Sequence, residues 1–348
     1  MKITEREFGI LEDNVIYQYV LENDNGMRLA CLNYGCIITD IFAKDRYGKF
    51  ENVLLGFDNI EDYLHKSPYF GAIIGRVAGR IADGHFELNG ETYRLDVNEG
   101  NNHLHGGKSG FDKKIWHAKT WKTEDKVGVD FTYTSTDGEE GYPGEVQITV
   151  RYYLTNDDEW VQICKAKTNK ETLLNMTNHS YFNLTGNLKE TILNHQLTLK
   201  SEKYLPLRED FIPTGEMIDV TNTVFDFRNG KVLKDGIKTT DKQINIVGNG
   251  YDHPFALTDN FNEEIQLYEP VSGRKLVIET NQPCVVVYTG NQLTNHFLIR
   301  NRQVEQYLGI CLETQQFPDA IHHPHFPSII LKPEEEYVSE TKYKFSIN

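Results

Sequence analysis

The segment Val146-Gln147-Ile148-Thr149-Val150-Arg151-Tyr152 alternates apolar and polar residues, and the segment Cys284-Val285-Val286-Val287-Tyr288 is apolar throughout. A period of two is typical of a β-strand that buries one face. A continuous run of β-branched residues indicates a strand that is buried on both faces. These two segments predict a protein built from sheets.

The same strand patterns recur along the chain, at 127–133, 196–199 and 275–279. Asn89-Gly90 separates two further apolar and polar runs, 86–88 and 92–95, and is a strong signal for a tight hairpin. Many short strands with frequent turns indicate an all-β sandwich or barrel.

Helical signals are few and short. Asn59 is a candidate N-cap for a helix over 60–64, and a second short helix is expected within 69–77. We find no linker, low-complexity tract or fixed-period repeat, so residues 1–348 are expected to form a single domain.

The composition restricts the class of ligand. The chain has 348 residues, 39% of them hydrophobic and 25% charged, which is ordinary globular usage. Its formal net charge of -15 argues against a nucleic-acid partner, because phosphate binding needs clustered lysine and arginine. The same charge disfavours phosphorylated substrates, and neutral small molecules remain open.

The sequence also predicts a compartment. The first residues lack the apolar stretch of a secretory signal, and no run of 18 apolar residues occurs, so no membrane association is expected. Five cysteines without a C-x-x-C pair indicate reduced, structural thiols. We therefore expect a cytoplasmic protein.

Residues capable of chemistry are concentrated in a few segments beside predicted strands. These segments are Gly75–Arg80, Asn101–Gly107, Asn178–Asn183, Tyr251–Phe255 and Leu312–Ala320. Each one taken alone is compatible with an ordinary polar loop. Glu313 is harder to explain in that way, because it follows the apolar run 308–312 on a strand that should be buried. Burial makes a carboxylate more basic, as a general base requires.

The histidines raise the alternative of a metal site. His103 and His105 would share one face of an extended chain, and three more histidines follow at 322, 323 and 325. The glutamate that a cupin-type site needs after the first pair is missing, and H-E-x-x-H does not occur. Phosphate-binding loops, dinucleotide fingerprints and nucleophile elbows are missing as well. No metal and no cofactor are therefore expected.

Taken together and in order, the segments resemble the aldose 1-epimerase (galactose mutarotase) family over nearly the whole chain. The motifs that carry the resemblance are GRVAxRI at 75–81, NxLHGG at 102–107, GFDK at 110–113, DGEEGYPG at 137–144, TNHSYFNL at 177–184, GYDH at 250–253, YTGN at 288–291, LETQxFPDA at 312–320 and FPS at 326–328. The resemblance implies a large antiparallel β-sandwich, the supersandwich, with few short helices. It also implies that the enzyme interconverts the α and β anomers of free aldohexoses such as galactose and glucose.

The resemblance further implies roles for single residues. Glu313 would take the proton of the anomeric hydroxyl, and His179 would protonate the ring oxygen. Arg80, His105 and Asp252 would hold the sugar hydroxyls. At pH 7 an ionised glutamate and a neutral histidine, placed on opposite sides of the acetal carbon, would be the starting arrangement in one direction.

Three positions depart from the family pattern. Gly79 replaces a frequent asparagine, Val286 replaces a glutamine found in some members, and His322-His323 replaces a frequent Asn-Gln. These departures concern the choice of sugar and leave the reaction type untouched. The sequence does not decide between a monomer and a homodimer.

Other functions remain as alternatives. A hexose-phosphate mutarotase of related fold would need basic residues at the pocket, for which Arg76 and Arg80 are available. A non-catalytic sugar-binding protein on the same scaffold would lose the acid or the base. A glycosidase would need two carboxylates across one bond, such as Asp252 and Glu313.

Overall fold

The computed structural model describes residues 1–348, with 45% of them in strands and 9% in helices. The prediction of an all-β fold is therefore confirmed. The first fifteen strands are β1 (Lys2–Leu11), β2 (Asn14–Glu22), β3 (Arg28–Leu32), β4 (Ile38–Lys44), β5 (Phe50–Asn52), β6 (Ile73–Ile74), β7 (Arg80–Ile81), β8 (His85–Leu88), β9 (Glu91–Arg94), β10 (His103–Leu104), β11 (His117–Lys122), β12 (Lys126–Ser135), β13 (Val146–Thr155), β14 (Glu159–Thr168) and β15 (Thr172–Leu173). The remaining strands are β16 (Thr177–Asn178), β17 (Tyr181–Phe182), β18 (Gln196–Leu199), β19 (Ser201–Tyr204), β20 (Ile218–Asp219), β21 (Lys231–Val232), β22 (Asp252–Leu257), β23 (Ile265–Tyr268), β24 (Arg274–Thr280), β25 (Cys284–Tyr288), β26 (Leu298–Ile299), β27 (Arg302–Gln303), β28 (Ile310–Gln315), β29 (Ile330–Leu331) and β30 (Tyr337–Ile347).

The helices are short. They are α1 (Ile60–Lys66), α2 (Leu233–Ile237) and α3 (Lys242–Ile246), with single 3₁₀ turns at Ala82–Gly84, Phe111–Lys113, Glu139–Gly141, Ile192–Asn194 and Ala320–His322. None of these helices has the length and apolar character needed to span a membrane.

Three large sheets organise the fold, and all of their strand pairs are antiparallel. The largest has nine strands in the order β11-β12-β13-β14-β30-β24-β23-β18-β21. A six-stranded sheet has the order β17-β28-β25-β22-β19-β20, and a five-stranded sheet has the order β1-β2-β3-β4-β5. Five two-stranded ladders connect and flank them.

One hydrophobic core joins the three sheets. It contains Val150 and Tyr343 from the nine-stranded sheet, Val287 and Leu312 from the six-stranded sheet, and Leu29 from the five-stranded sheet. All five side chains are at most 1% exposed. Because each large sheet contributes one face to the same core, the architecture is a sandwich.

The six-stranded sheet has a second, chemically different face. In β28, Leu312 packs in the shared core and Thr314 Oγ1 lies 2.7 Å from Thr341 Oγ1 of β30. The intervening Glu313 points to the opposite side, into a cleft. Alternation along β22 and β25 places Asp252 and Val286 on that same side. The functional cleft therefore lies on the face turned away from the nine-stranded sheet.

Most predicted elements are present. The alternating segment lies within β13 with its apolar residues buried, the continuous apolar segment is β25 with every residue buried, and Asn89-Gly90 joins β8 to β9. Asn59 caps α1, because its Oδ1 accepts a hydrogen bond of 2.9 Å from the backbone N–H of Asp62.

The expected helix within 69–77 was wrong. Tyr69 and Gly71 have φ of 66° and 68°, in the left-handed region that an α-helix cannot include. The segment instead forms β6, which pairs with β16. This pairing brings 69–72 against the segment that carries His179.

Candidate active site

The cleft on the outer face of the six-stranded sheet has a volume of about 200 Å³. It brings together all five residues that the sequence singled out for the site: Arg80, His105, His179, Asp252 and Glu313. Its floor follows from strand register, since Pro254 of β22 is paired with Val286 of β25, which is paired with Glu313 of β28. Three adjacent central strands thus fix the floor rigidly.

Glu313 and His179 lie side by side on this floor. His179 Nε2 is 3.6 Å from Glu313 Oε1, and the side chains are 5% and 4% exposed. The backbone of His179 is held on both sides, because its N–H donates to Ala72 O at 2.9 Å and its C=O accepts from Gly71 N–H at 3.0 Å. The acid and base positions are therefore neighbours, and their placement on opposite sides of a sugar carbon stays a prediction.

Burial shifts the pKa values of both members of this pair. It lowers the pKa of His179 to about 4, so the imidazole is neutral at pH 7 as expected. Burial, reinforced by the charge of Asp252 and opposed by Arg80, raises the pKa of Glu313 well above its usual range. The expectation of an ionised Glu313 at pH 7 stays a prediction, and the raised pKa makes its carboxylate a stronger base than that of an exposed glutamate.

His105 presents a hydrogen-bond donor to the cleft. Its Nδ1 accepts a hydrogen bond of 3.2 Å from the backbone N–H of Gly79. The proton of the neutral ring is then on Nε2. Burial, together with His179 and Arg80, holds the pKa of His105 well below its usual value, so the ring remains neutral.

These contacts bear on the metal hypothesis. His103 and His105 do not share a face, because His105 has φ of 53°. His103 uses Nδ1 on Asp96 O at 2.7 Å and Nε2 on the Tyr142 hydroxyl at 2.8 Å. Ligand atoms of His105, His179 and Glu313 lie within 4.8 Å of one another. However, a His105 ring that carries its proton on Nε2 donates a hydrogen bond there and has no lone pair for a metal.

Arg80 enters the cleft from β7, beside β10. Its Nε and Nη2 donate to the two carboxylate oxygens of Glu99 at 2.5 and 2.7 Å, and the ring of Phe211 lies 5.0 Å from its guanidinium carbon. Arg76 is elsewhere: it is 2% exposed and donates to Pro143 O, Ser135 and neighbouring groups. Of the two arginines available for a phosphate, only Arg80 reaches the cleft.

Asp252, at the start of β22, is the second carboxyl group on the floor. Burial raises its pKa from 3.8 to about 6, with Arg80 opposing the shift and Glu99 adding to it. Asp252 is therefore largely ionised at pH 7 and accepts hydrogen bonds.

The departures from the family pattern fall in two places. Gly79 and Val286 line the cleft, whereas His322 and His323 do not. Gly79 has φ of +75°, and a Cβ there would lie 3.0 Å from Pro318. His322 contacts Asp319 through Nδ1 at 2.7 Å, outside the cleft. Only the first two departures bear directly on what the cleft binds.

Comparison with known proteins decides the family. A sequence model of the family described as "Aldose 1-epimerase" matches residues 17–344. The chain belongs to the aldose 1-epimerase family. A galactose mutarotase of Bos taurus is 41% identical over 352 residues, covering 100% of this chain and 99% of that protein. An aldose 1-epimerase of Haemophilus influenzae is 35% identical, covering 96% of this chain and 97% of that protein.

A solved structure agrees with the sequence relatives. The crystal structure of a galactose 1-epimerase from Lactobacillus acidophilus superposes with a TM-score of 0.89 at 31% identity, and the match covers 100% of this chain and 99% of that one. The prediction of an aldose 1-epimerase fold is therefore confirmed.

Three residues of this aldose 1-epimerase cleft were missed by sequence reasoning. Tyr69 places its ring 4.8 Å from that of His105 and 5.6 Å from that of His179, while Glu99 and Phe211 surround Arg80. Glu99 lies only three residues before the NxLHGG motif, so a search of the motif's flanks would have found it. Phe211 carried no such signal, because it reaches Arg80 from a distant loop.

Proposed function

We propose that this chain is an aldose 1-epimerase that interconverts the α and β anomers of free aldohexoses such as galactose and glucose, with Glu313 as general base and His179 as general acid. The observation that carries the proposal is the 3.6 Å contact between His179 Nε2 and Glu313 Oε1 in one buried cleft. The anomeric oxygen and the ring oxygen are bonded to the same carbon, so two neighbouring groups are enough to reach both.

Ring opening uses this pair in the state with an ionised Glu313 and a protonated His179. The carboxylate takes the proton of the anomeric hydroxyl, and the O–H electrons form the C1=O double bond. The C1–O5 bond breaks with its electrons on O5, which takes the proton from His179 Nε2. Rotation about C1–C2 and the reverse transfers on the other face give the opposite anomer.

Glu313 and His179 together hold the same number of protons before and after a full turnover. Opening converts ionised Glu313 and protonated His179 into protonated Glu313 and neutral His179, and burial favours these uncharged forms. Closure reverses this, and the pair holds one proton throughout. Sugar hydroxyls that bond to the carboxylate favour its ionised form. A strongly acidic imidazolium and a strongly basic carboxylate give both transfers a large driving force.

The other cleft residues supply binding. His105 Nε2–H and the remaining N–H groups of Arg80 donate to sugar oxygens, and Asp252 accepts from sugar hydroxyls. Tyr69, next to both histidines, offers an aromatic surface to the apolar C–H groups of a sugar. No cofactor takes part in this scheme, because nothing is oxidised and no group leaves.

We place the protein in the cytoplasm and propose that it acts as a monomer or a homodimer. The five cysteines are free and buried, which supports a reducing compartment.

Polarimetry tests the proposal. Freshly dissolved α-D-galactose should reach its equilibrium rotation faster with the protein, and Glu313→Gln and His179→Ala should each slow the enzymatic rate by about 10²–10⁴-fold. The exposed residues Glu124 and His117 provide matched controls, Glu124→Gln and His117→Ala, which should keep the full rate. Full activity in both cleft variants would refute the assigned roles.

A further inference from the structure

The charges that line the cleft are unevenly distributed. Arg80 is the one lysine or arginine among the lining residues, whereas Glu99, Asp252 and Glu313 contribute three carboxyl groups. The two lining histidines are buried and neutral. A negatively charged ligand would therefore have only Arg80 as a partner.

Arg80 is already engaged. Nε and Nη2 each donate to Glu99, so both carboxylate oxygens are used in a two-point ion pair. Phe211 lies against the same guanidinium. The Arg80 side chain is 13% exposed and that of Glu99 is 31% exposed. The positive charge is thus neutralised inside the cleft, and Nη1 has no protein partner among the hydrogen bonds of the structure.

We propose that Glu99 determines which sugars the cleft admits: by pairing with Arg80 it leaves no uncompensated cation, so uncharged aldoses bind and aldoses that carry a carboxylate or a phosphate are rejected. This inference rests on the proposed function and assigns a specificity role to a residue outside the acid–base pair.

The physical reason lies in the cost of an unpaired charge. A neutral hydroxyl accepts a hydrogen bond from Nη1 without disturbing the ion pair. An anion would either displace Glu99 or remain unpaired near the ionised Asp252. Placing like charges together in a desolvated site is strongly unfavourable. Glu99 thereby disfavours anionic sugars, while Arg80 still binds uncharged sugars.

The test compares D-galactose with D-galacturonate, which differ at C6, by polarimetry at pH 7. The wild-type protein should show kcat/KM for galacturonate lower than for galactose by on the order of 10²-fold. In Glu99→Gln the amide oxygen still accepts one hydrogen bond from Arg80, but the charge of Arg80 is uncompensated. The galacturonate-to-galactose ratio should then rise by about tenfold or more.

Two further variants separate this effect from general electrostatics. Glu209 is exposed and lies two residues from Phe211 in the chain, so Glu209→Gln removes one negative charge from the same segment without freeing Arg80. It should leave the ratio unchanged. Adding Arg80→Gln to Glu99→Gln should abolish the gain, because the guanidinium is its source. If Glu99→Gln fails to turn over galactose, the ratio of dissociation constants by calorimetry provides the same comparison.

The outcomes are distinct. Equal turnover of both sugars by the wild-type protein, or an unchanged ratio in Glu99→Gln, overturns the role of Glu99 while galactose turnover upholds the proposed function. An equal rise in Glu209→Gln also overturns it. If the wild-type protein does not act on galactose, the proposed function and this inference both fall.

Discussion

His179 has a neighbour that the catalytic scheme has not used. Cys311 Sγ lies 3.4 Å from His179 Nδ1, and its side chain is fully buried. Burial raises the pKa of the Cys311 thiol well above its usual value, so the sulfur remains protonated and uncharged. A neutral partner at Nδ1 holds the ring without making it more basic, as a carboxylate would. The imidazolium therefore remains strongly acidic.

Cys311→Ala should lower kcat by about tenfold with little change in KM, because the ring loses the contact that directs Nε2 toward Glu313. Cys311→Ser keeps a polar partner and should recover most of the rate. Cys284 is also fully buried, on β25, and Cys284→Ala serves as the control. Steady-state polarimetry measures all three, and a wild-type kcat in Cys311→Ala would rule out a positioning role.

Asp252 should make the stability of the protein depend on pH. Its pKa is about 6 in the folded state and near 3.8 when exposed, so above pH 6 the folded state carries the cost of a buried charge. Below pH 4 both states are protonated and the cost disappears. Asp252→Asn should therefore increase the free energy of unfolding by about 1–3 kcal/mol at pH 7–8. The difference should shrink below pH 6 and vanish below pH 4.

Urea denaturation across this pH range measures the effect. Asp259 is exposed, so Asp259→Asn is the matched control and should show no comparable trend. A stability difference for Asp252→Asn that stays constant from pH 4 to pH 8 would contradict a buried, ionised Asp252 in the folded protein.

At the scale of the element, β25 shows how one strand serves the core and the cleft. Val287 is 0% exposed in the core shared by the sheets, whereas Val286 is 9% exposed and lines the cleft opposite Glu313. Strand alternation alone separates their functions.

Truncation of these adjacent valines should have different consequences. Val287→Ala should lower the free energy of unfolding by about 1.5–3 kcal/mol, because two buried carbons are lost and a cavity forms. Val286→Ala should cost less stability and should alter KM for galactose instead. Chemical denaturation and polarimetry distinguish the two variants. Equal effects on stability would contradict the assignment of Val286 and Val287 to opposite faces of β25.

Elements with strong local patterns could be predicted from the sequence. Residues 284–288 were recognised because burial on both faces leaves a continuous apolar run, and α1 because Asn59 is a standard cap. The conformation of residues 69–77 could not be predicted, because it depends on hydrogen bonds to the distant segment that carries His179. Glu313 stood out as a carboxylate in an apolar strand, whereas Phe211 meets Arg80 only through tertiary contact.

At the scale of the whole molecule, three sheets around one core present a single acidic cleft, and the chain carries a formal net charge of -15. Family membership over residues 17–344 and the five clustered site residues agree with the sequence analysis. The single-domain organisation and the oligomeric state remain predictions. The basicity of a buried Glu313 could be predicted from its apolar strand, whereas the 3.6 Å contact with His179 could not, because it depends on tertiary packing.

A crystal structure with bound galactose tests the central claim most directly. We predict that the anomeric oxygen lies within hydrogen-bond distance of the Glu313 carboxyl group and the ring oxygen within hydrogen-bond distance of His179 Nε2, with Arg80, His105 and Asp252 on the other hydroxyls. A sugar bound in this cleft with its anomeric carbon away from Glu313 and His179, or bound outside the cleft, would contradict the account.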